Sequence, residues 1–297
     1  MRLGFMGFGE AAFHMAAGLV KEGMDGIVVY DHAMTLAEDA APRQTLMRRV
    51  ADAGVTLVDG PAALAAGADF IVLAVPATFA EGAATAITEH MGAGQTLADV
   101  CSSSPNLKAQ IAESCAARGL GYVDSPMLGP LPVYGHKVPI AASGAAAQAW
   151  HDAMTPFNMV IEVIDGPAGM ASRIKLSRSL FTKGFEALLV ETFQFARKNG
   201  VEDVVMNSIG ETMDRVSFRQ SAERYLAGDL VHAARRAHEL EDAITIMRET
   251  GIEPLVAQGA HKRLMESANS GSAEKLGGEM PKSLEDVFAM WRETGAI

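Results

Sequence analysis

Close to the amino terminus the run Gly7-Phe8-Gly9-Glu10-Ala11-Ala12 follows an apolar segment, LGFMG, and precedes an Ala-rich one. This G-x-G-x-x-A spacing is a variant of the dinucleotide-binding turn. A glycine at position 7 permits the tight strand-to-helix turn. A glycine at position 9 lets the backbone approach a pyrophosphate, and a small residue at position 12 lets the helix pack on the strand. Phe8 and Glu10 lie between these positions, where the helix amino terminus would present free N–H groups to phosphate. The glycines alone are weak evidence, but the second apolar run, GIVVYD, ends in an acid, Asp31, about 20 residues further on. A carboxylate there accepts both ribose hydroxyls of an adenosine and repels a 2′-phosphate. The alternative for such an acid is a helix cap, but with the glycines in place the ribose role is favoured. His32, Ala33 and Met34 follow, with no arginine among them, so NAD is favoured; His32 leaves NADP open.

The segments that must carry these residues alternate. LGFMG, GIVVYD, VTLV, FIVLAV and TLADV are short and apolar, and each is followed by a stretch with helical periodicity. Such alternation predicts a mostly parallel, doubly wound α/β sheet. GYVDSP, VPIAASG and MVIEVI read as further strands. After Asp165-Gly166-Pro167 the texture becomes helical: one long helix from Gly169 to Lys198, then helices over Phe218 to Leu226, Leu230 to Thr250 and Pro254 to Ser267. A Ser/Gly-rich loop, 269–283, precedes a short last helix. The expected organisation is a Rossmann domain over 1–165 and an all-α domain over 166–297.

Composition narrows the function classes. Of 297 residues 49% are hydrophobic and 21% charged, enough for two cored domains. The net charge of -11 and the lack of a Lys/Arg block argue against nucleic acid as a partner. Two cysteines, Cys101 and Cys115, make neither a disulfide framework nor a zinc site, which suits a reduced, cytoplasmic protein. Glu10 and His14 interrupt the only stretch resembling a signal peptide, and no run reads as a membrane span. No His/Cys/Asp/Glu set has metal-ligand spacing, so a metal-free reaction is expected.

Four motifs in order resemble the β-hydroxyacid dehydrogenase family, which includes 3-hydroxyisobutyrate dehydrogenase and 6-phosphogluconate dehydrogenase. They are GFMGFGEAAFHMAAGLVKEG, the run Asp99-Val100-Cys101-Ser102-Ser103-Ser104-Pro105, DSPMLGPLPVYGHKVPIAASG and GPAGMASRIKLSRS. The pattern is closer to a less characterised branch whose carboxy-terminal domain is labelled phosphogluconate dehydrogenase-like. The resemblance implies a lysine general acid/base at Lys175. On a helix Lys175 shares a face with Ser179, Thr182 and Glu186, a stripe that by itself reads as a solvated face. The resemblance also implies that Ser102, assigned to within one position in its serine run, touches nicotinamide and substrate. Ser104 is better suited to cap a helix before Pro105. Val75 and Pro76, closing FIVLAVP, are assigned to the cofactor. Leu128, Gly129 and Pro130 stand where the family has Ser-Gly-Gly. Ser179 replaces its asparagine, and His238-Glu239 its later Lys-Asp pair. Leu128, Gly129, Pro130, Ser179 and His238 are therefore candidate substrate contacts, and His136 is a further one.

The implied activity is hydride transfer between NAD(P) and a small hydroxy acid, in a homodimer. Three alternatives stay open: an NADPH-dependent imine or ketone reductase, a sugar-acid oxidoisomerase, and a non-catalytic nucleotide sensor. The departures at Leu128 and Ser179 favour the last; Lys175 opposes it.

Overall fold

All eight apolar runs before residue 165 contain strands in the computed structural model, which describes residues 1–297. β1 (Leu3–Met6), β2 (Val28–Tyr30), β3 (Thr56–Leu57), β4 (Phe70–Leu73), β5 (Thr96–Asp99) and β6 (Gly121–Asp124) form one sheet in the order β3-β2-β1-β4-β5-β6. Every pairing in it is parallel. β7 (Ile140–Ala142) and β8 (Ile161–Val163) make a second, two-stranded parallel sheet. An antiparallel bridge between Asp124 and Ser143 follows the end of β6.

Side chains alternate across the large sheet, as a period of two requires. Phe5, Val72, Ala98 and Val123 face one core, shared with α1 (Glu10–Lys21) and α7 (Ala147–Met154). Met6, Ile71, Leu73, Leu97 and Tyr122 face the other, shared with α3 (Pro61–Gly67), α4 (Ala80–Thr88) and α5 (Pro105–Ala116). In α1 the buried set Ala12, Met15, Ala16 and Leu19 has the spacing of one helical face. Gly4 lets α3 close on the sheet: a Cβ there would lie 2.8 Å from Leu64 Cδ1. α2 (Ala41–Ala53) packs Leu46 into the first core.

The first compact unit runs from Met1 to Leu180 and the second from Phe181 to Ile297. The first therefore contains the opening turns of α8 (Met170–Lys198), which the expected boundary at 165 assigned to the helical domain. The physical reason is a set of buried hydrogen bonds from those turns to β6, described below.

The second unit is all helical. α9 (Glu202–Arg215), α10 (Phe218–Glu249), α11 (Leu255–Ala268), α12 (Ser272–Lys275) and α13 (Leu284–Glu293) follow the end of α8. A capping box of Ser217 and Gln220 starts α10. The two helices expected over Phe218 to Leu226 and Leu230 to Thr250 are one. Gly228 lies within α10 with Arg236 packed over it: a Cβ on Gly228 would stand 2.6 Å from Arg236 Nη2. The expected loop over 269–283 contains α12, anchored by the buried Ser272 hydroxyl, which donates to the Leu230 carbonyl (2.9 Å). Glu191 of α8 accepts from the N–H groups of Val256 (2.7 Å) and Ala257 (2.8 Å), satisfying the start of α11. No helix is long and apolar enough to cross a membrane.

Candidate active site

The strand order reverses at β1 and β4, and in open α/β sheets ligands bind at that switch point, beyond the carboxyl ends of the strands. Gly7 leaves β1 there with φ of +91°, and a Cβ on it would lie 2.6 Å from the Ala74 carbonyl oxygen and from Val75 Cγ1. Only glycine fits. At Gly9 a Cβ would meet no protein atom within 4 Å, so the space that a pyrophosphate would need there is open. Phe8 is buried and Ala12 fully so, while Glu10 is exposed in the first turn of α1. Asp31 Oδ2 accepts from the Phe8 N–H (2.7 Å) and Oδ1 from the Ala33 N–H (2.8 Å). The carboxylate thus ties the glycine turn to the end of β2 and also caps the short helical turn His32–Thr35. Each oxygen keeps a lone pair for a ribose hydroxyl.

Phe8, Gly9, Asp31, Ala33, Thr45, Leu46 and Arg49 line a cavity of about 370 Å³ beside this turn. No arginine adjoins Asp31 in sequence, but Arg49 of α2 lines the same cavity and brings a positive charge to it. His32 is exposed at the rim. The residues present fit a nicotinamide dinucleotide. Val75 is half-buried and donates its N–H to Cys101 Sγ (3.4 Å), joining the end of β4 to the loop after β5; Pro76 is exposed beside it.

That loop carries Ser102, and Lys175 Nζ donates to Ser102 Oγ at 2.7 Å. Of the three serines, Ser102 has the lysine, Ser104 caps α5 by accepting from the Leu107 N–H, and Ser103 Oγ is buried without a partner. Burial holds the half-buried Lys175 ammonium below the ordinary lysine value, and the charge of Lys108 pushes the same way. Asp124 and Asp99 oppose them. Cys101 is neutral, since burial pushes its thiol up to about 12.

Beneath this pair lies a charge network that the sequence reading missed. Lys108, Asp99 and Asp124 are all fully buried. Lys108 Nζ is 2.7 Å from Asp99 Oδ1, 3.6 Å from Asp124 Oδ1, and donates to the Asp99 carbonyl (3.0 Å). Asp99 also accepts from the Cys101 N–H (2.9 Å) and the Tyr122 hydroxyl (2.8 Å). Burial and Asp99 hold the Tyr122 phenol far above its ordinary value, so it is a neutral donor. Asp124 accepts from the Gly169 N–H (3.1 Å), the Ser172 N–H (2.8 Å) and the Ser172 hydroxyl (2.7 Å), and so caps the start of α8. The signal for Lys108 was its position: with Ile111 and Cys115 it occupies the buried stripe of α5, where an unpaired charge would be untenable.

The Leu128-Gly129-Pro130 segment is half-buried at its first two residues. The Leu128 N–H donates to the Pro139 carbonyl (2.7 Å), and Gly129 faces Tyr134 and Val138 so closely that a Cβ would lie 3.2 to 3.3 Å from both. Pro130 leads into the turn Leu131–Tyr134, here α6. His136 is not a free contact. It fills the notch left by Gly18 in α1, where a Cβ would stand 2.1 Å from its Nδ1, and lies 3.3 Å from Glu22 Oε1. Burial lowers its pKa, which suits a packed, neutral ring. Ser179 follows Lys175 by one turn of α8 and is half-buried. In the second unit His238 is exposed and 3.2 Å from Glu241, which also meets His261 at 3.0 Å, while Glu239 pairs with Arg235.

Comparison with known proteins agrees with this architecture. A conserved hypothetical protein of Sinorhizobium meliloti 1021 is 27% identical, covering 99% of this chain and 96% of that one, with a TM-score of 0.60. A conserved protein of unknown function, described as structurally similar to 3-hydroxyacid dehydrogenases, is also 27% identical over 90% of this chain and 98% of its own (TM-score 0.59). An imine reductase from Myxococcus stipitatus in complex with NADP+ shares the fold at 14% identity, with a TM-score of 0.73 over 92% of this chain and 96% of its own. An uncharacterized 28.5 kDa protein of Methanothermus fervidus is 31% identical over 100 residues, so the match spans 39% of that relative's length. Residues 196–267 match a domain of unknown function (DUF1932). Residues 2–157 match the NAD binding domain of 6-phosphogluconate dehydrogenase, and with more than half its length so matched the chain belongs to that family.

Proposed function

We propose that this protein is an NAD(P)-dependent oxidoreductase acting on the carbinol of a small hydroxy acid, with Lys175 as general acid/base. The observation that carries this reading is the 2.7 Å contact between Lys175 and Ser102, beside the switch point of a dinucleotide-binding sheet. The bound nicotinamide would supply or accept the hydride. Lys175, held below the usual lysine range by burial, would take the hydroxyl proton in oxidation and return it to the carbonyl oxygen in reduction. Ser102 would orient both Lys175 and the substrate oxygen. Backbone N–H groups near Gly129 and the Ser179 side chain would hold the rest of the acid, and Leu128 would present an apolar surface in place of a hydroxyl.

Arg49 gives specific support to a second reading, reduction of an imine or ketone with NADPH, because it offers a 2′-phosphate a partner in the cavity that Asp31 also lines. A screen of 3-hydroxy acids with NAD and NADP, set beside one of cyclic imines with NADH and NADPH, separates the two. Lys175-dependent oxidation of a hydroxy acid supports the first reading. Activity only towards imines with NADPH supports the second.

The working form would be a homodimer joined through the helical unit. Its apolar exposure supports this: Phe181, Phe185 and Phe218 form an aromatic cluster on the outside, with Phe218 68% exposed, and α9 buries none of its residues. Both cysteines are free and buried, which suits a reducing, cytoplasmic setting.

A further inference from the structure

Two segments separated by a large part of the sequence must meet for the Ser102–Lys175 pair to exist: the loop after β5 and the start of α8. Ser102 lies in the loop after β5 and Lys175 in the second turn of α8. A buried carboxylate ties down each segment. Asp99 takes the Cys101 N–H, next to Ser102, and Asp124 takes Gly169, Ser172 N–H and Ser172 hydroxyl, one turn before Lys175. Two buried carboxylates repel, and the single group that stands between them is the Lys108 ammonium.

We infer that Lys108 is a positioning residue for the Ser102–Lys175 pair, acting through the two carboxylates it joins. The inference rests on the reading of Lys175 as the proton-transfer group, but it concerns the arrangement that serves that group. Lys108 does not reach solvent, so it carries no substrate. Its ammonium bridges Asp99 and Asp124, and thereby holds the serine loop and the lysine helix in one register. It also adds a positive charge near Lys175 from α5, against the negative charges of Asp99 on β5 and Asp124 on β6. Cys101 and Ser102, the other groups facing Lys175, are uncharged at neutral pH. Removing the Lys108 charge therefore leaves Lys175 facing a net excess of carboxylate, which favours its protonated form.

The test uses full-length protein with 13C-labelled lysine, the Lys175 signal being assigned by its loss in Lys175→Arg. In Lys108→Met the titration midpoint of Lys175 should move up by about one pH unit, while NADH affinity measured by fluorescence stays within twofold. A folded Lys108→Met protein whose Lys175 titrates as in the wild type overturns the inference. Should Lys108→Met not fold, Lys108→Gln carries the test, since it keeps a hydrogen-bond donor beside the two carboxylates and removes the charge. That variant should fold, bind NADH normally and move the Lys175 chemical environment; an unchanged Lys175 signal overturns the inference. The titration is read without turnover, so a protein that oxidises no hydroxy acid, or one in which Lys175→Met oxidises 3-hydroxypropionate as the wild type does, defeats the proposed function and leaves this result standing by itself.

Discussion

Lys175 Nζ and Ser102 Oγ lie 2.7 Å apart although 73 residues separate them in the chain. A contact so remote in sequence, between a lysine amine and a hydroxyl at a cofactor-binding edge, is expected to act as a unit. Lys175→Met should lower kcat by about 100- to 10,000-fold with NADH affinity within about twofold of wild type. Ser102→Ala should cost less, about tenfold, because it orients the lysine and does not replace it. Stopped-flow hydride transfer together with NADH fluorescence titration checks both; turnover that survives Lys175→Met removes the lysine from the mechanism.

The direction of the Lys175 shift fixes the pH behaviour. Its value in the folded protein is below the model-compound 10.5. A base must be unprotonated, so oxidation should lose rate as pH falls through the folded value, and reduction should lose rate as pH rises through it. Stability follows the opposite bookkeeping from a salt-bridged lysine. Below the folded value the ammonium is a destabilising burden in the native state, and the unfolded chain binds more protons between the folded value and 10.5. The burden is therefore relieved as pH rises across that window. Relative to wild type, Lys175→Met should be most favoured at the acid side and lose its advantage towards pH 10.5, measured by chemical denaturation across the range.

Gly7 and Gly9 should respond differently to the same methyl group. Gly7→Ala places a Cβ 2.6 Å from a carbonyl oxygen at a φ of +91° and should destabilise the fold by about 1–3 kcal/mol. Gly9→Ala meets no protein atom and should cost at most about 1 kcal/mol as a weakened helix cap. It should still weaken NADH binding tenfold or more, since the methyl stands where the pyrophosphate approaches. Calorimetry and ligand titration on both variants would show the separation; equal loss of affinity and stability at Gly9 would contradict it.

Asp31 and Arg49 offer opposite responses to a 2′-phosphate. Arg49→Ala should reduce affinity for NADPH more than for NADH, by about 1–2 kcal/mol, and Asp31→Asn should narrow any preference for NADH. If Arg49→Ala changes both affinities equally, the arginine does not meet the 2′ position.

The aromatic cluster at Phe181, Phe185 and Phe218 gives the assembly prediction. Phe181→Glu combined with Phe218→Glu should convert a dimer to monomer in sedimentation equilibrium without loss of helicity. A variant that sediments as the wild type moves the interface elsewhere.

The two sheets were readable because their strands are apolar runs separated by glycines and caps, and all eight strands were found. The long helix α8 was found for the same reason, through its periodicity and the stop at Asn199-Gly200. What could not be read were relations across the chain. Arg49 enters the cofactor cavity from a helix with no motif, and Lys108 is a lysine on an apolar stripe whose partners come from two different strands. His136 illustrates the converse: a histidine in a substrate-like segment turned out to be shaped to the absence of a side chain at Gly18. The two helices expected over Phe218 to Leu226 and Leu230 to Thr250 are one, because propensity is local whereas the helix runs on through Gly228 with Arg236 folded over it.

The three hydrogen bonds from the start of α8 to Asp124 make that carboxylate a fulcrum. Lys175 is three residues beyond Ser172, a lever arm of about 4.5 Å along the helix axis, whereas Ser179 is seven residues beyond it, about 10 Å. For the same small tilt of the helix, Ser179 travels more than twice as far as Lys175. The residue proposed for proton transfer thus sits nearer the pivot than Ser179, so under that proposal tolerance for differently shaped substrates would accumulate further out along the same helix without loosening the chemistry.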